Sequence, residues 1–196
     1  GKVESVSELS VKIPGGVATD LIELHNRGSL AADLSDMSLS DDPARPRQFV
    51  FPKGAILPPG GYLTIFADKS PTPAGFHLGS ALDADGDGVF LYAASLQNNV
   101  LLDSVRFGPQ LAGWSIGRKS DGAWTLCRPT FGSANQPTPM GNPAGLRINE
   151  FLANDGPLSS GDFVELYNPD PLPVALDGLA LSTSPVVSSE YPLPSL

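Results

Sequence analysis

The 196-residue chain is poor in the residues on which many enzymes and metal sites depend. It has one cysteine, Cys127, and two histidines, His25 and His77. A single cysteine excludes an internal disulfide and any metal site built from several thiolates. The sequence also lacks an apolar run of the roughly 20 residues that a membrane-spanning helix requires. We therefore expect no disulfide framework and no membrane span.

Positive charge is scarce as well. The chain has 12 Lys and Arg against 21 Asp and Glu, which gives a formal net charge of −9 at pH 7. Such a chain is repelled by phosphate backbones and by anionic lipid, so we expect no nucleic-acid partner. The apolar fraction of 41% and the charged fraction of 17% are typical of a folded chain and not of a disordered one.

Helical periodicity is missing, and turn residues are abundant. The chain contains 21 Gly and 20 Pro, and proline is excluded from helix interiors. Short apolar segments such as "DLIELHN", "YLTIFAD", "GVFLYAA" and "VLLDSVRFG" alternate with these turns. Seven or more short strands at regular spacing indicate an all-β fold, and the simplest choice is an immunoglobulin-like β-sandwich.

Two stretches of the chain resemble each other. "TDLIELHNRGSLAADLSDMSLSDD" occupies 19–42 and "GDFVELYNPDPLPVALDGLALSTS" occupies 161–184. A single offset of 142 positions aligns 20–40 with 162–182 without a gap, with 8 of 21 residues identical, and the same offset matches Val6 with Ile148. The pattern predicts a tandem duplication.

The duplication suggests a domain division. We expect a β-sandwich over 1–135, a Pro/Gly linker over 136–145, and the N-terminal part of a second repeat over 146–196. Strands of this partial repeat would have open edges that need cover. We therefore expect it to pack on the first domain or on a second chain, which would allow self-association.

The polar residues Asp20, Glu23 and Asn26 recur in the second stretch at the same offset. On a strand, positions 20 and 23 point to opposite faces, so the two carboxylates cannot converge on one ligand without a bulge. We therefore expect a structural role, with Asn26 beginning a turn and Glu23 on the outer face, paired with a basic side chain. His25 is replaced by Tyr167 in the second stretch, which argues against a catalytic or metal-binding role for His25.

The segment "GWSIG" (113–117) fits the G-x-S-x-G pattern of serine hydrolases around Ser115. That chemistry requires a strained turn from a strand into a helix, with a histidine later in the chain. Here the hairpin signal Asp121-Gly122 follows, and both histidines precede the serine. We therefore expect Gly113 and Gly117 to serve turns and close packing, and we expect no enzymatic activity.

The acidic segment "DADGDG" (83–88) matches the first half of an EF-hand loop, with Asp83, Asp85 and Asp87 at ligand positions. The twelfth position holds Ala94 where the loop needs a bidentate Glu, and a strand is predicted directly after the segment. Two alternatives stay open. The segment is either an acidic hairpin turn, or the three carboxylates bind calcium.

The order of the motifs resembles one known family. "DLIELHN", "FVFPKGAILPPGGYLTIFAD", "GFHLGSALDADGDGVFLYA" and "GWSIGRKSDGAW" resemble the lamin-tail domain, in its bacterial form, over nearly all of 3–135. "LRINEFLANDGPLSSGDFVELYNPDPLPVALDGLALS" resembles the start of a second such domain. The resemblance implies an immunoglobulin-like sandwich, in agreement with the strand pattern.

The resemblance also implies a role. Bacterial lamin-tail domains are similar to accessory modules of large secreted or surface proteins. We therefore expect a non-catalytic interaction, adhesion or scaffolding module, secreted or at the cell surface, with a protein or a cell-surface glycan as its partner. The alternative is a calcium-dependent or glycan-binding module accessory to an enzyme. No catalytic residue carries over from the family.

Overall fold

A computed structural model of the chain describes residues 2–7, 19–70, 72–153, 161–185 and 190–194. The chain divides into two compact units, the first ending at Thr138 and the second beginning at Pro139. Within the described ranges no helix has the length and apolarity needed to cross a membrane.

The first unit is built almost entirely from short strands. They are β1 (Lys2–Ser7), β2 (Asp20–His25), β3 (Ala32–Asp33), β4 (Ser38–Ser40), β5 (Phe49–Val50), β6 (Ile56–Leu57), β7 (Tyr62–Ala67), β8 (Phe76–His77), β9 (Asp87–Tyr92), β10 (Leu101–Phe107), β11 (Ser115–Arg118), β12 (Trp124–Arg128) and β13 (Gln136–Pro137). A 3-10 helix over Ser95–Gln97 joins β9 to β10. Because β13 pairs with β12, the first unit extends past residue 135, the boundary expected from the sequence.

Two main sheets organise these strands. One has seven strands in the order β13-β12-β11-β1-β2-β7-β8, and the other has four in the order β10-β9-β4-β5. The ladders are antiparallel except for the short parallel pair β7–β8. A further small ladder joins β3 to β6. This arrangement confirms the predicted all-β, immunoglobulin-like class.

One apolar core holds the first unit together. Fully buried side chains from the seven-stranded sheet, such as Ile22 and Ile65, belong to the same cluster as Leu39 and Leu91 of the four-stranded sheet. Burial of each such side chain contributes roughly 1.5–3 kcal/mol. The alternation of Ile22 and Leu24 along β2 therefore points into the core, as predicted.

The opposite face of β2 is buried, whereas the sequence predicted that it would be exposed. Glu23 faces away from the core, as the alternation requires, but only 1% of it is exposed. Its Oε2 accepts the amide N–H of Gly132 at 2.5 Å. The loop after β12 thus covers the face that the sequence analysis treated as outer. Strand β2 is therefore buried on both faces, by the apolar core on one face and by the loop after β12 on the other.

The second unit contains two hairpins. Strand β14 (Arg147–Leu152) pairs with β15 (Phe163–Tyr167), and β16 (Ala180–Ser182) pairs with β17 (Glu190–Pro192). A 3-10 helix over Pro143–Gly145 precedes β14, with the Asn142 side chain accepting the N–H of Ala144. The predicted linker 136–145 therefore contains short regular elements. That the second unit is a partial repeat stays a prediction.

The register of the β14–β15 hairpin corrects part of the sequence alignment. Ile148 pairs with Leu166, and a one-residue bulge follows before Glu150. In the β1–β2 ladder Val3 pairs with Leu24, and a one-residue bulge follows before Ser5. The residue equivalent to Ile148 is thus Val3, and the match of Ile148 with Val6 was wrong. The offset is 145 on the first strand of the hairpin and 142 on the second, because the connecting loop is three residues shorter in the second unit.

Candidate binding groove

A groove of about 440 Å³ opens at one end of the seven-stranded sheet. Its lining comes from four separate segments of the first unit. These are the end of β2 with the residues after it, the start of β7, the turn 118–121 and the segment 134–137. We refer to it below as the end groove.

Asn26 builds the first wall of the end groove. Its side chain is buried, and its Nδ2 donates to the carbonyl oxygens of Leu30 at 2.8 Å and Leu57 at 3.0 Å. Its Oδ1 accepts the N–H of Gly28 at 3.0 Å. These bonds tie the turn after β2 to the chain before β7. As predicted, Asn26 begins a turn, and the turn presents Arg27 at the rim of the groove.

An aromatic pair completes this wall. His25 and Tyr62 are directly opposite each other in the β2–β7 ladder. Their rings stack with centroids 4.1 Å apart and planes inclined by 8°. Both residues are half-buried and line the groove. His25 and Tyr62 therefore form the aromatic part of this wall.

The turn between β11 and β12 forms the second wall. The N–H of Lys119 donates to the carbonyl of Ala123 at 2.8 Å, and Gly122 adopts a φ of +88° that favours glycine. Asp121 accepts the N–H of Ala123 at 2.9 Å, and this bond, aided by Lys119, lowers the pKa of Asp121. Lys119 Nζ lies 3.0 Å from the Asp121 carboxylate, and both side chains are solvent-exposed.

Arg118 is held firmly behind this turn. Its Nη2 lies 2.5 Å from Asp103 Oδ1, its Nη1 donates to the Gly122 carbonyl at 2.9 Å, and its guanidinium lies 4.2 Å from the ring centroid of Trp124. The side chain is 11% exposed. An arginine fixed by an ion pair, a carbonyl and an aromatic face orients the turn and stays in place.

The base of the groove depends on a glycine. Asn135 Nδ2 donates to the carbonyl of Arg118 at 3.0 Å. A Cβ on Gly117 would lie only 2.7 Å from Cγ of Asn135, so Asn135 can lie against the strand only where residue 117 is glycine. Gly113 has a φ of +85° in a turn. The two glycines of the "GWSIG" segment thus serve packing and turn geometry, as expected.

Ser115 has no catalytic setting. It lies inside strand β11, 2% exposed, and its hydroxyl donates to the carbonyl of Cys127 at 3.5 Å. Strand β12 follows, where a hydrolase elbow would have a helix. The buried serine cannot be reached by a substrate.

The acidic segment 83–88 forms a turn closed by its own backbone. Asp83 Oδ1 accepts the N–H of Asp85 at 3.0 Å, and Asp87 accepts the N–H groups of Asp83 at 3.1 Å and Gly88 at 2.7 Å. In the part of the chain that the structure describes, no three His, Cys, Asp or Glu side chains are grouped to hold a metal ion. Calcium binding by Asp83, Asp85 and Asp87 stays one of the two open alternatives.

The end groove has a charge opposite to that of the chain. Among the described residues, Arg27, Arg118 and Lys119 line it together with one carboxylate, Asp121, whereas the whole chain has a net charge of −9. Arg27 Nη2 reaches toward the Ser120 carbonyl at 3.4 Å, which brings the two walls together. A concave surface with an aromatic wall and several cations has the features of a binding site for an anionic group.

The end groove could not be predicted from the sequence. Its residues are separated by up to 112 positions, from His25 to Pro137, and they meet only through strand order. The one local signal is the Arg118-Lys119 pair, which is conspicuous in a chain with so few cations. That signal alone did not indicate which aromatic residues would join it.

Comparison with known proteins gives one match. No curated protein and no solved structure matches the chain. The lamin tail domain family matches residues 5–109, which is 105 of the 196 residues and includes both strands that present His25 and Tyr62. The turn 118–121 and the segment 134–137 lie beyond the matched range. The fold, the order of the motifs and this match agree, and the chain belongs to the lamin tail domain family.

Proposed function

We propose that this chain is a non-catalytic interaction module, used for adhesion or scaffolding, in a larger bacterial protein that is exported or displayed at the cell surface. The lamin tail domain is a non-enzymatic immunoglobulin-like domain, consistent with a binding or scaffolding role. The observation that carries the proposal is the end groove, a preorganised cationic and aromatic surface on an otherwise acidic chain.

The chemistry of the described residues favours binding over turnover. Ser115 and Cys127, on the strands next to the groove, are buried. Burial also raises the pKa of the Cys127 thiol, which keeps it in its unreactive protonated form. His25 is stacked on Tyr62. The groove therefore offers cations, an aromatic pair and polar groups that suit recognition.

The partner that we propose is a protein or a glycan of the cell surface. The overall negative charge opposes approach to nucleic acid or to anionic lipid at long range. At short range the cations of the groove dominate, because charges farther than about 8 Å are screened at physiological ionic strength. The partner is therefore selected by the groove and not by the average charge of the chain.

A retention assay tests the proposal. Purified chain is incubated with intact bacterial cells and with isolated cell-wall material, and the bound fraction is measured. The test variant carries Arg27→Ala and Lys119→Ala, both at the groove. The matched control carries Arg45→Ala and Lys53→Ala, which remove the same charge from exposed positions away from the groove lining.

We expect wild type and control to be retained and the groove variant to be lost. Equal retention of the two variants would contradict the proposal, since binding would then not use the groove. Turnover of esters, phosphoesters or glycosides that disappears in a point variant would also contradict it.

A further inference from the structure

We infer that the end groove binds a single carboxylate carried on a sugar ring, that is, a uronate residue set among neutral sugars in a surface glycan. The inference rests on the proposed function and specifies the ligand of the same groove. Three features of the groove lead to it, namely the accessibility of its cations, its aromatic wall, and the charge of the unit around it.

Two of the three cations can reach a ligand. Arg118 is fixed by Asp103 and by the Trp124 ring and is mostly buried. Arg27 is exposed at the rim, and Lys119 is 40% exposed. The ion pair of Lys119 with Asp121 is solvent-accessible, and exposed pairs of this kind are weak. An incoming carboxylate can therefore replace Asp121 as the partner of Lys119 and accept hydrogen bonds from Arg27.

The aromatic wall suits a ring. His25 and Tyr62 form a rigid stacked pair that lines the groove beside Arg27. The C–H face of a pyranose ring packs well on an aromatic surface, and Asn135 and Ser120 also line the groove and supply polar groups for ring hydroxyls. The volume of about 440 Å³ lies within the range of small-ligand sites.

The charge of the first unit disfavours a ligand with many negative charges. Residues 1–138 carry 11 Lys and Arg and 14 Asp and Glu, which gives a net charge of −3. Residues 139–196 carry one Arg and seven Asp and Glu, which gives a net charge of −6. A polyanion such as nucleic acid would place further charges over this acidic surface and be repelled. A lone carboxylate meets only the groove. This favours an isolated uronate over a polyuronate chain.

Matched small probes test the inference. Methyl β-glucuronide supplies ring and carboxylate, methyl β-glucoside supplies the ring alone, and acetate supplies the carboxylate alone. Each is titrated into the full ¹⁵N-labelled chain, and amide shifts give both affinity and location. We expect the glucuronide to bind at least about 10-fold more tightly than either other probe, because a hydrogen bond to a charged group and the ring contact both contribute.

The variants locate the site. Arg27→Ala is expected to weaken glucuronide binding by about 10-fold or more, and the control Arg45→Ala to leave it unchanged. Arg27→Lys is expected to lie in between, since it keeps the charge and loses the planar fork. Unaltered shifts of the Trp114 and Trp124 indole signals will show that each variant is folded.

Several results would overturn the inference. Equal binding of glucoside and glucuronide would remove the role of charge, and equal binding of acetate would remove the role of the ring. Tighter binding of an acetylated, amidated aspartyl peptide would indicate a protein partner. In these cases groove-dependent retention on cells would still support the proposed function, whereas loss of that retention would reject the proposed function itself.

Discussion

The turn after β2 and the turn after β15 share two asparagine hydrogen bonds in very different surroundings. Asn26 Nδ2 donates to the Leu30 carbonyl at 2.8 Å, and Asn168 Nδ2 donates to the Leu172 carbonyl at 2.9 Å. Each asparagine also accepts the N–H of the residue two positions on, at 3.0 Å in both turns. The two sites are 142 positions apart.

The likeness continues beyond these turns. Asp36, with φ of +63°, is matched at the same offset by Gly178, with φ of +72°. The N–H of Phe51 donates to the Met37 carbonyl, and 142 positions later Leu193 donates to Leu179, both at 2.9 Å. The left-handed position, the turn and the next strand contact are thus repeated. These backbone features support the predicted partial repeat, which stays a prediction.

Burial is where the two regions differ. Ile22 on β2 is fully buried, whereas Val164, its counterpart on β15, is 46% exposed. In the described residues β15 pairs only with β14, while β2 has β1 and β7 on its two sides. The comparison shows that turns and hairpin register are set locally by Asn, Gly and bulge positions. The core is set by strands from distant parts of the chain.

The largest expected effect comes from the core. Leu24→Ala should lower the free energy of unfolding of the first unit by roughly 2–5 kcal/mol, because Leu24 is fully buried. Leu166→Ala, its half-buried counterpart, should cost well under half as much. Both tryptophans, Trp114 and Trp124, lie in the first unit, so denaturant unfolding followed by tryptophan fluorescence reports Leu24→Ala directly.

Circular dichroism of the whole chain provides the measurement for Leu166→Ala. If the two substitutions cost the same, the burial difference between the units would be wrong.

The second effect comes from the turn. Asn26→Ala should destabilise the first unit by roughly 2–3 kcal/mol, because it leaves buried carbonyls and an amide without their partner. Asn168→Ala should cost about 1 kcal/mol or less, since water can replace its half-exposed bonds. Asn26→Asp is a useful control, because it keeps the Gly28 bond and loses the bonds that Nδ2 donates. Equal melting curves for Asn26→Ala and wild type would contradict the role given to Asn26.

Features that depend on residues close together in the sequence could be predicted from it. The strand at 20–25, the turn at Asn26 and the roles of Gly113 and Gly117 follow from alternation and turn chemistry. The prediction failed for Glu23 because the Gly132 loop that covers Glu23 is 109 residues away. The end groove was missed for the same reason.

A third, smaller effect depends on pH. The carboxylate of Asp36 accepts the Ser95 N–H and hydroxyl and pairs with Arg47, and these contacts, led by the Ser95 hydroxyl bond, lower its pKa to about 2 from 3.8. A carboxyl whose pKa falls on folding stabilises the fold above its ordinary pKa and loses that contribution as pH falls. The stabilisation should therefore fade between about pH 4 and pH 2.

The substitution Asp36→Gly tests this by installing the residue of the second unit. Its melting temperature should fall less steeply than that of wild type between pH 5 and pH 2. Asp33→Asn is a comparison at a neighbouring exposed carboxylate whose pKa is also lowered, by its hydrogen bonds with Ser35. Parallel slopes for wild type and Asp36→Gly would show that the Ser95 and Arg47 contacts do not stabilise the fold.

The smallest effect concerns calcium at the turn 83–88. The Asp83 and Asp87 carboxylates already accept backbone N–H groups. We therefore expect calcium to leave the melting temperatures of wild type and of Asp85→Ala unchanged. If calcium raised the melting temperature of wild type, and Asp85→Ala abolished that rise, the calcium alternative would be established instead.

Hydrogen exchange of the wild-type chain, with and without bound cell-wall material, tests most directly the central claim that the first unit binds its partner through the end groove. We expect the backbone amides of 25–30 and 117–123 to exchange more slowly when cell-wall material is bound, and those of 147–152 and 163–167 to be unchanged. Protection confined to the hairpin of the second unit would contradict it.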